Sequence, residues 1–373
     1  MSPPTDDQDD TRPDGPPGPD ASAPKSADEG GGASVSPSRL PFPVAGIGAS
    51  AGGLEALEAL TQRLAPDRMA FVVIQHLAPG HVSMLSDILQ RGTNLRVMTI
   101  EDGTRLQGGV IHVAPPSVEV SLDGDVLRLG APAKGPRARH GIDAFLRSLA
   151  AAGGPMAIGV ILSGSGTDGT LGLKAIKDEG GITFVQDPST AAQPSMPQSA
   201  ADAGYADFSL APADIGRELM RVSAHPYVRR TRPLALTADG GAGRVFSELR
   251  AAFGVDFTLY KSSTVDRRIG RRMALHRVES VEDYLKVVAT DPNELRSLYN
   301  DLLIGVTSFF RDAEPFEALK QVVFPHMLEN RGVDVPIRIW VAGCSTGEEA
   351  YSIAIALVEF MGDRAAAHTI QVF

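Results

Sequence analysis

From residue 42 onward, short apolar runs alternate with segments in which apolar residues recur every three or four positions. Runs such as PFPVAGIG, AFVVIQH, GVIHVAPP, MAIGVILSG and GITFVQDP are typical of buried strands. Segments such as GGLEALEALTQRL, GHVSMLSDILQR, IDAFLRSLAAA and TDGTLGLKAIKDEG are typical of amphipathic helices. VEVSLDGDVLRL predicts a hairpin that turns at Asp123 and Gly124. The alternation predicts an α/β fold with a doubly wound, mainly parallel sheet.

Two segments break this alternation. Residues 1–40 hold eight acidic and three basic side chains among many Pro, Gly and Ser residues, which predicts a disordered arm because little can be buried. Periodicity also lapses near Pro226 before helical segments resume. The predicted organisation is an arm over 1–41, an α/β domain over 42–222, a linker over 223–243, a small helical domain over 244–330 and the start of a Rossmann-like domain over 331–373.

Composition narrows the class of protein. The net charge is -10, so a general nucleic-acid binder is not expected. The single cysteine, Cys344, excludes an intramolecular disulfide framework and favours a reducing compartment. No stretch approaches the roughly 18 apolar residues of a membrane helix, and no signal-peptide core is visible. We therefore expect a cytoplasmic protein without membrane insertion.

The stretch GIGASAGGLEALEAL, from Gly46 to Leu60, fits two incompatible motifs. As G-x-G-x-x-A it resembles a dinucleotide fingerprint, in which a pyrophosphate lies at a helix N-terminus. As G-x-S-x-G it resembles a strand-to-helix turn that exposes a nucleophile, here Ser50. A dinucleotide site needs an acidic residue after the second strand, but Asp67 precedes that strand.

The second strand instead ends at His76, and the loop LSGSGTDG after a later strand contains Asp168. Since parallel strands end at the same edge of a sheet, Ser50, His76 and Asp168 are candidates for a nucleophile, a base and the group that orients the base. His81 and His112 are rival imidazoles, and we expect them to be structural or close to the substrate. Alone, each triad residue could be a helix cap or a structural side chain.

GIGASAGGLEAL, VVIQHLAPGHVSMLSDIL, HVAPP, GVILSGSGTDGTLGLKAIKDEGG and QDPSTAAQPSMPQSA occur in the order seen in chemotaxis protein-glutamate methylesterases, which residues 42–210 resemble. The resemblance implies a cytoplasmic serine hydrolase that removes methyl esters from chemoreceptor glutamates and deamidates glutamines. Its triad falls on Ser50, His76 and Asp168, and backbone groups near Ser165 would bind the oxyanion. It implies neither a cofactor nor a metal for the esterase.

Two further expectations follow from the same resemblance. The loop Pro194 to Ala200 either borders the substrate groove or is a proline-rich connection. Two-domain members carry a phosphorylatable receiver domain before the esterase, whereas here only the arm precedes it. We therefore do not expect regulation by phosphorylation of this chain.

The second half contains the strand, glycine turn and helix of PIRIWVAGCSTGEEAYSIAIALVEF, after LLIGVTSFFRD and TVDRRIGRRMALH. A glycine turn before a helix suits a nucleotide-like cofactor. From about residue 245 the chain resembles chemotaxis receptor methyltransferases that use S-adenosylmethionine. The resemblance implies that Thr307, Arg311 and Glu349 touch the cofactor. Because HTIQVF looks like only the second strand of that domain, we expect the methyltransferase part to be truncated and inactive as given.

Four arginines lie on one predicted helix, at i, i+3 and i+4 spacing that places several on one face. They are a solvated surface or a binding site for an acidic receptor helix. The four arginines are Arg267, Arg268, Arg271 and Arg272.

Together these patterns favour a methylesterase joined to the beginning of a receptor methyltransferase in bacterial chemosensory adaptation, with methyl-accepting receptors as partners. A noncatalytic receptor-binding scaffold remains an alternative. A dinucleotide-dependent oxidoreductase is a weaker one because no acid follows the second strand.

Overall fold

The computed structural model describes residues 40–75, 84–132, 140–229, 242–303, 309–311, 313–329, 331–344 and 347–373. The predicted arm, apart from its last two residues, and residues 230–241 of the predicted linker lie outside this description. Among the described helices, none combines the length and the hydrophobicity that a membrane crossing requires.

A seven-stranded sheet forms the centre of the first half, and every neighbouring pair of its strands is parallel. The strands carry long apolar runs because both faces of the sheet are covered. They are β1 (Val44–Ala49), β2 (Ala70–Gln75), β3 (Arg96–Thr99), β4 (Val110–Val113), β7 (Ala157–Ile161), β8 (Ile182–Gln186) and β9 (Phe208–Leu210). Their spatial order is β3-β4-β2-β1-β7-β8-β9.

Helices pack on both faces of this sheet and form two separate apolar clusters. One face is covered by α1 (Gly53–Thr61), α2 (Leu85–Gly92) and α6 (Pro212–Ala224). The other is covered by α3 (Gly141–Gly153), α4 (Thr170–Asp178), α5 (Ser195–Asp202) and the antiparallel hairpin of β5 (Val118–Asp123) and β6 (Val126–Pro132). The predicted doubly wound α/β fold is confirmed.

Three elements of this domain differ from the sequence-based expectation. Strands β3 and β9 were not predicted, since both are short and partly exposed and alternate too little to stand out. The segment Pro194 to Ala200 is neither a loop nor a connection but largely the helix α5. Pro194 occupies its N-cap position, and Pro197 lies in its first turn, where a missing backbone N–H costs nothing.

The beginning of the predicted linker is also helical. Helix α6 continues to Ala224 and is followed by α7 (Pro226–Arg229). Tyr227 and Val228 are buried in the apolar cluster of the sheet, so these residues belong to the first domain. The sequence pattern missed this because a four-residue helix is too short to display a period.

The second half is helical up to about residue 329. Val245, Ile269, Tyr284 and Leu298 belong to its own apolar cluster. Its helices are α8 (Gly243–Phe253), α9 (Ser262–Leu275), α10 (Val281–Thr290), α11 (Pro292–Leu303), α12 (Ala313–Ala318) and α13 (Phe324–Leu328), with a π-helical turn at Leu319–Val323 between the last two.

The last described segment contains the predicted strand, turn and helix. Strand β10 (Ile337–Ile339) pairs in parallel with β11 (Ile370–Val372), and α14 (Glu348–Met361) connects them. Ile337, Leu357 and Met361 are buried in a fourth apolar cluster. This unit is the strand–helix–strand arrangement expected at the beginning of a Rossmann-like domain.

Candidate active site

Ser50 follows β1 at the carboxyl edge of the sheet and is half-buried. Its backbone N–H donates to the Ser163 carbonyl at 3.0 Å, and its carbonyl accepts from Gly53 N–H at 2.9 Å. Gly52 has a φ of 68° and is the N-cap of α1. A Cβ at Gly52 would lie 2.6 Å from Ala192 Cβ. The glycine is thus required by both its backbone angle and its close contact, as in a sharp strand-to-helix turn.

The second predicted triad residue, His76, lies outside the described residues. The residue before it, Gln75, is the last of β2 and pairs in register with Ala49, the residue before Ser50. Strands β1 and β2 are therefore parallel neighbours that end together. The rival His81 also lies outside the description, whereas His112 is fully buried in β4. Burial lowers the pKa of His112, and its Nδ1 lies 3.2 Å from the Phe71 carbonyl, which fits a structural role.

Asp168 is 4% exposed, and its carboxylate accepts three backbone hydrogen bonds. The donors are Ile142 and Asp143 in the first turn of α3, at 3.0 and 2.9 Å, and Gly169 at 2.9 Å. The carboxylate thus stabilises the N-terminus of α3. Asp168 itself lies just before α4, which begins at Thr170. These bonds fix the position of the Asp168 carboxylate at the N-terminus of α3.

Asp143 and His140 lie beside Asp168. Ligand atoms of the three side chains lie within 4.8 Å of one another, with His140 exposed and both carboxylates buried. Burial, and then the negative charge of Asp168, raise the pKa of Asp143, although its oxygen accepts from Gly172 N–H at 2.7 Å. Sequence reasoning did not consider His140. Its position directly before the helix that contains Asp143 was the signal that could have identified it.

A fully buried hydroxyl connects the three loops of this edge. Ser163 Oγ donates to the Ala51 carbonyl at 2.9 Å and accepts from Gln193 N–H at 2.9 Å. Ser163 N–H donates to Gln186 Oε1 at 2.9 Å. The loop after Ser50, the end of β7 and the segment before α5 are therefore held together by one side chain. The sequence-based analysis overlooked Ser163, because a serine after a buried strand has no distinctive spacing.

The loop after β7 also presents free backbone groups to solvent. Ser165 and Gly166 are exposed, and Gly166 has a φ of 88°. Within the described part of the chain, no backbone hydrogen bond uses the Ser165 N–H. Gly164, the preceding residue, lies against the nucleophile loop: a Cβ there would lie 2.9 Å from Ser50 Cβ. An N–H at this edge is available for an oxyanion, as expected for a hydrolase.

The structure also argues against the dinucleotide motif. Asp67 precedes β2 at the amino edge of the sheet, opposite Ser50. Its carboxylate accepts from Ser223 Oγ and from Arg229 at 3.3 Å. Burial alone would raise the pKa of Asp67, but these hydrogen bonds and the charge of Arg229 lower it. This acid is occupied in a structural network and lies away from the edge where a cofactor would bind.

In the second half, Thr307 lies outside the described residues. Arg311 is exposed just before α12, and Glu349 is exposed in the first turn of α14. Phe310 N–H donates to Ser352 Oγ at 2.9 Å, which brings the segment of Arg311 next to the helix of Glu349. The turn before α14 contains Gly343 and Gly347, with φ values of 76° and 104°. A glycine turn at a helix N-terminus, at the carboxyl end of parallel β10, fits a nucleotide-like cofactor.

The four arginines lie on α9, as predicted, but they do not form an exposed face. Arg268 is 2% exposed and Arg271 is fully buried, because both pack against the α/β domain. The side chain of Arg272 is 14% exposed and pairs with Glu294 of the same helical domain, and Arg267 is half-buried. The expectation that Arg268 and Arg271 are presented to a receptor as a surface is therefore wrong for the arrangement observed.

Three protein families match consecutive parts of the chain. "CheB methylesterase" matches residues 45–219, "CheR methyltransferase, all-alpha domain" matches 243–303 and "CheR methyltransferase, SAM binding domain" matches 305–373. The chain is a CheB-type methylesterase domain followed by CheR-type methyltransferase domains. The predicted resemblance to both families is confirmed.

Two relatives match the chain over different shares of its length. An "Uncharacterized 104.1 kDa protein in hypE 3'region" of Rhodobacter capsulatus is 36% identical over 298 residues, which is 73% of this chain and 31% of that protein. A "Protein-glutamate methylesterase/protein-glutamine glutaminase 4" of Anaeromyxobacter dehalogenans is 34% identical over 50% of this chain and 53% of its own length. The chain thus spans about a third and about half of these two relatives.

A solved structure is also similar to the CheB-type domain. The catalytic domain of the Thermotoga maritima CheB methylesterase is 27% identical, with a TM-score of 0.45. The similarity covers 48% of this chain and 98% of that structure.

Proposed function

We propose that the CheB-type domain is a serine hydrolase that removes methyl esters from glutamate side chains of chemoreceptors in the cytoplasm. We further propose that the same site deamidates receptor glutamines, as the name of the Anaeromyxobacter relative indicates for that protein. The observation that carries the proposal is the turn at Ser50, which brings a serine to the same carboxyl edge of a parallel sheet at which the loop after β7 contains buried Asp168.

In this mechanism Ser50 Oγ attacks the ester carbonyl, while His76 accepts the hydroxyl proton. The tetrahedral intermediate collapses, and His76 donates that proton to the departing methanol. Water then attacks the glutamyl–serine ester with His76 again as the base, and the free glutamate leaves. Asp168 orients the imidazole and stabilises its charged form. The backbone bonds from Ile142, Asp143 and Gly169 support this role because they fix the position of the carboxylate.

The oxyanion of the intermediate needs donors that are already oriented, since reorganisation would raise the barrier. We assign this role to the N–H of Ser165, for which no backbone acceptor is found in the described part of the chain. Gly164 permits close approach of that loop to Ser50. We assign no metal and no cofactor to the esterase reaction.

For the CheR-type part, the family supports S-adenosylmethionine as the cofactor of the methyltransferase. When bound, the cofactor supplies the methyl group for transfer to a receptor glutamate. We propose that Thr307, Arg311 and Glu349 hold it at the glycine turn before α14. The exposed position of Glu349 in the first turn of that helix supports this assignment.

An isotope experiment tests the acyl-transfer mechanism. A methyl-esterified receptor cytoplasmic fragment is hydrolysed by the chain in water enriched in ¹⁸O, and both products are analysed by mass spectrometry. We expect one ¹⁸O atom in each newly formed glutamate carboxyl and none in methanol, because the acyl–oxygen bond breaks. Ser50→Ala should abolish the incorporation. Label in methanol, or equal incorporation by the variant, would contradict the mechanism, and no reaction at all would favour a noncatalytic receptor-binding scaffold.

A further inference from the structure

The carboxyl end of α4, in the CheB-type domain, is covered by arginines of the CheR-type helix α9. Arg268 donates to the carbonyls of Lys177 and Asp178 at 3.2 and 3.0 Å. Arg271 Nε donates to the Gly181 carbonyl at 2.9 Å. The last carbonyls of a helix carry its negative dipole end, so the Arg268 guanidinium stabilises the carboxyl end of α4, where Lys177 O also accepts from Gly180 N–H. Arg271 contacts the turn that follows the helix.

The same arginine forms a buried charge cluster across the two domains. Arg271 pairs with Asp207, just before β9, and with Asp301 of α11 at 3.1 Å. Asp207 also accepts from Thr183 N–H and Oγ1, each at 2.9 Å. Burial alone would raise the pKa of Asp207, but Arg271 and Lys177 lower it. A buried charge requires its partner, so Arg271 strongly favours contact with the CheB-type domain over separation.

Shape complementarity accompanies the charges. Gly270 of α9 lies over the ring of Tyr227, where a Cβ would be 3.0 Å from Tyr227 Cδ2. Tyr227 Oη donates to the Gly180 carbonyl at 2.6 Å, and burial raises its pKa to about 12, so the donor stays protonated. Ala274, one turn further along α9, belongs to the apolar cluster of the CheB-type sheet. The inner side of α9 therefore packs as part of that domain.

This contact lies away from the candidate active site. Helix α4 begins after Asp168 at the carboxyl edge of the sheet and returns to the amino edge, where Gly181 leads into β8. The arginines contact the far end of α4. The contact therefore lies at the opposite edge of the sheet from Ser50, and it uses the donor groups of Arg268 and Arg271.

We propose that the arginine face of α9, formed by Arg268 and Arg271, is a docking surface of the CheR-type part. In this structure it is occupied by the CheB-type domain, through the carboxyl end of α4 and Asp207. An acidic helix can bind this face only after the two domains separate. In the docked chain the arginine face is thus blocked by a contact at the edge of the sheet opposite Ser50. This docking does not depend on the identity of the esterase substrate.

A wedge variant tests the docking while keeping every arginine. Gly270→Leu introduces a side chain against the Tyr227 ring and, since leucine favours helix more than glycine, leaves α9 itself stable. Ser263→Leu, at an exposed position of the same helix, is the matched control. We expect Gly270→Leu to enlarge the radius of gyration in small-angle scattering and to accelerate hydrogen exchange in residues 170–183. Ser263→Leu should change neither.

The second measurement uses a synthetic alanine-based helical peptide with glutamates at i, i+4 spacing, titrated at low salt. We expect Gly270→Leu to bind it about tenfold or more tightly than the unmodified chain, with an affinity that falls as salt rises. Asp207→Asn provides a second route to separation, because asparagine retains an oxygen for Thr183 but loses the charge. Circular dichroism verifies that each variant is folded.

Two outcomes would overturn the proposal. If both folded variants keep the compact dimensions and slow exchange of the unmodified chain, the contact does not hold the domains together. If the domains separate but peptide affinity does not increase, docking does not block the arginine face. Neither measurement uses ester hydrolysis, so failure of the proposed esterase activity would be recognised independently.

Discussion

Removal of the Ser163 hydroxyl is expected to weaken the nucleophile loop without removing any catalytic group. Ser163 is fully buried, and its Oγ is bonded to Ala51 on one side and Gln193 on the other, each at 2.9 Å. Ser163→Ala changes little volume but leaves one carbonyl and one N–H without their partner. The loop that begins at Ser50 then loses its link through this hydroxyl to the segment before α5, while the backbone bonds from Ser50 to Ser163 and from Gly164 to Gln193 remain.

The magnitude follows from the exposure of the two abandoned groups. An unsatisfied buried backbone group costs about 1–3 kcal/mol, but Ala51 and Gln193 are themselves exposed, so water can replace part of each bond. We therefore expect a total loss of about 1–2 kcal/mol in the free energy of unfolding. For a domain of this size that corresponds to a fall of about 3–6 °C in Tm. Displacement of the nucleophile should lower kcat by about 10- to 100-fold, with a smaller change in KM.

Thermal unfolding and methanol release measured on the same preparations test this expectation. Ser209→Ala, at an exposed position of β9, is the control for a serine-to-alanine change in the same domain. A variant at position 163 with unaltered kcat would show that the hydroxyl does not position the loop. A loss of kcat that disappears when the temperature is lowered would indicate a stability effect alone.

Three other predictions concern the base, acid stability and the loop contact. His76→Ala should lower kcat about 10³-fold or more, and His140→Ala less than about tenfold; the reverse order would assign the base to His140. Burial alone would raise the pKa of Glu294, but its hydrogen bond with Arg272 lowers that pKa from 4.5 to about 2. The ionised Glu294 side chain therefore stabilises the fold fully above pH 4.5, and this stabilisation is lost as the pH falls towards 2. Acid unfolding of Glu294→Gln should lack this dependence. Gly164→Ala should depress kcat because its Cβ would overlap Met196 Sδ and lie 2.9 Å from Ser50 Cβ, and unchanged turnover would show that Met196 and the Ser50 loop move away freely.

The hydrophobic pattern predicted much of the fold because parallel strands buried on both faces are long apolar runs. Strands β3 and β9 escaped prediction because edge strands are short and carry polar residues such as Arg96 and Ser209. Helix α5 was hidden by Pro194 and Pro197, which also occur in loops. The two missed strands share one cause, because three or four residues are too few to display a period.

The sequence-based interpretation mainly missed contacts between side chains on elements that are distant in sequence. Helical spacing correctly placed Arg268 and Arg271 on one side of a helix, but it could not indicate that this side is buried. The partner of Arg271 is Asp207, 64 positions earlier in the chain. In the same way, motif spacing indicated Asp168, whereas its bonds to the first turn of α3 depend on packing between elements distant in sequence.

Release of methanol from a methyl-esterified receptor fragment, measured side by side for the chain and its Ser50→Ala variant, tests the central claim most directly. We expect methanol to form at a steady rate with the unmodified chain and at least about 10³-fold more slowly with the folded variant. Comparable rates for the two proteins would contradict the assignment of Ser50 as the nucleophile.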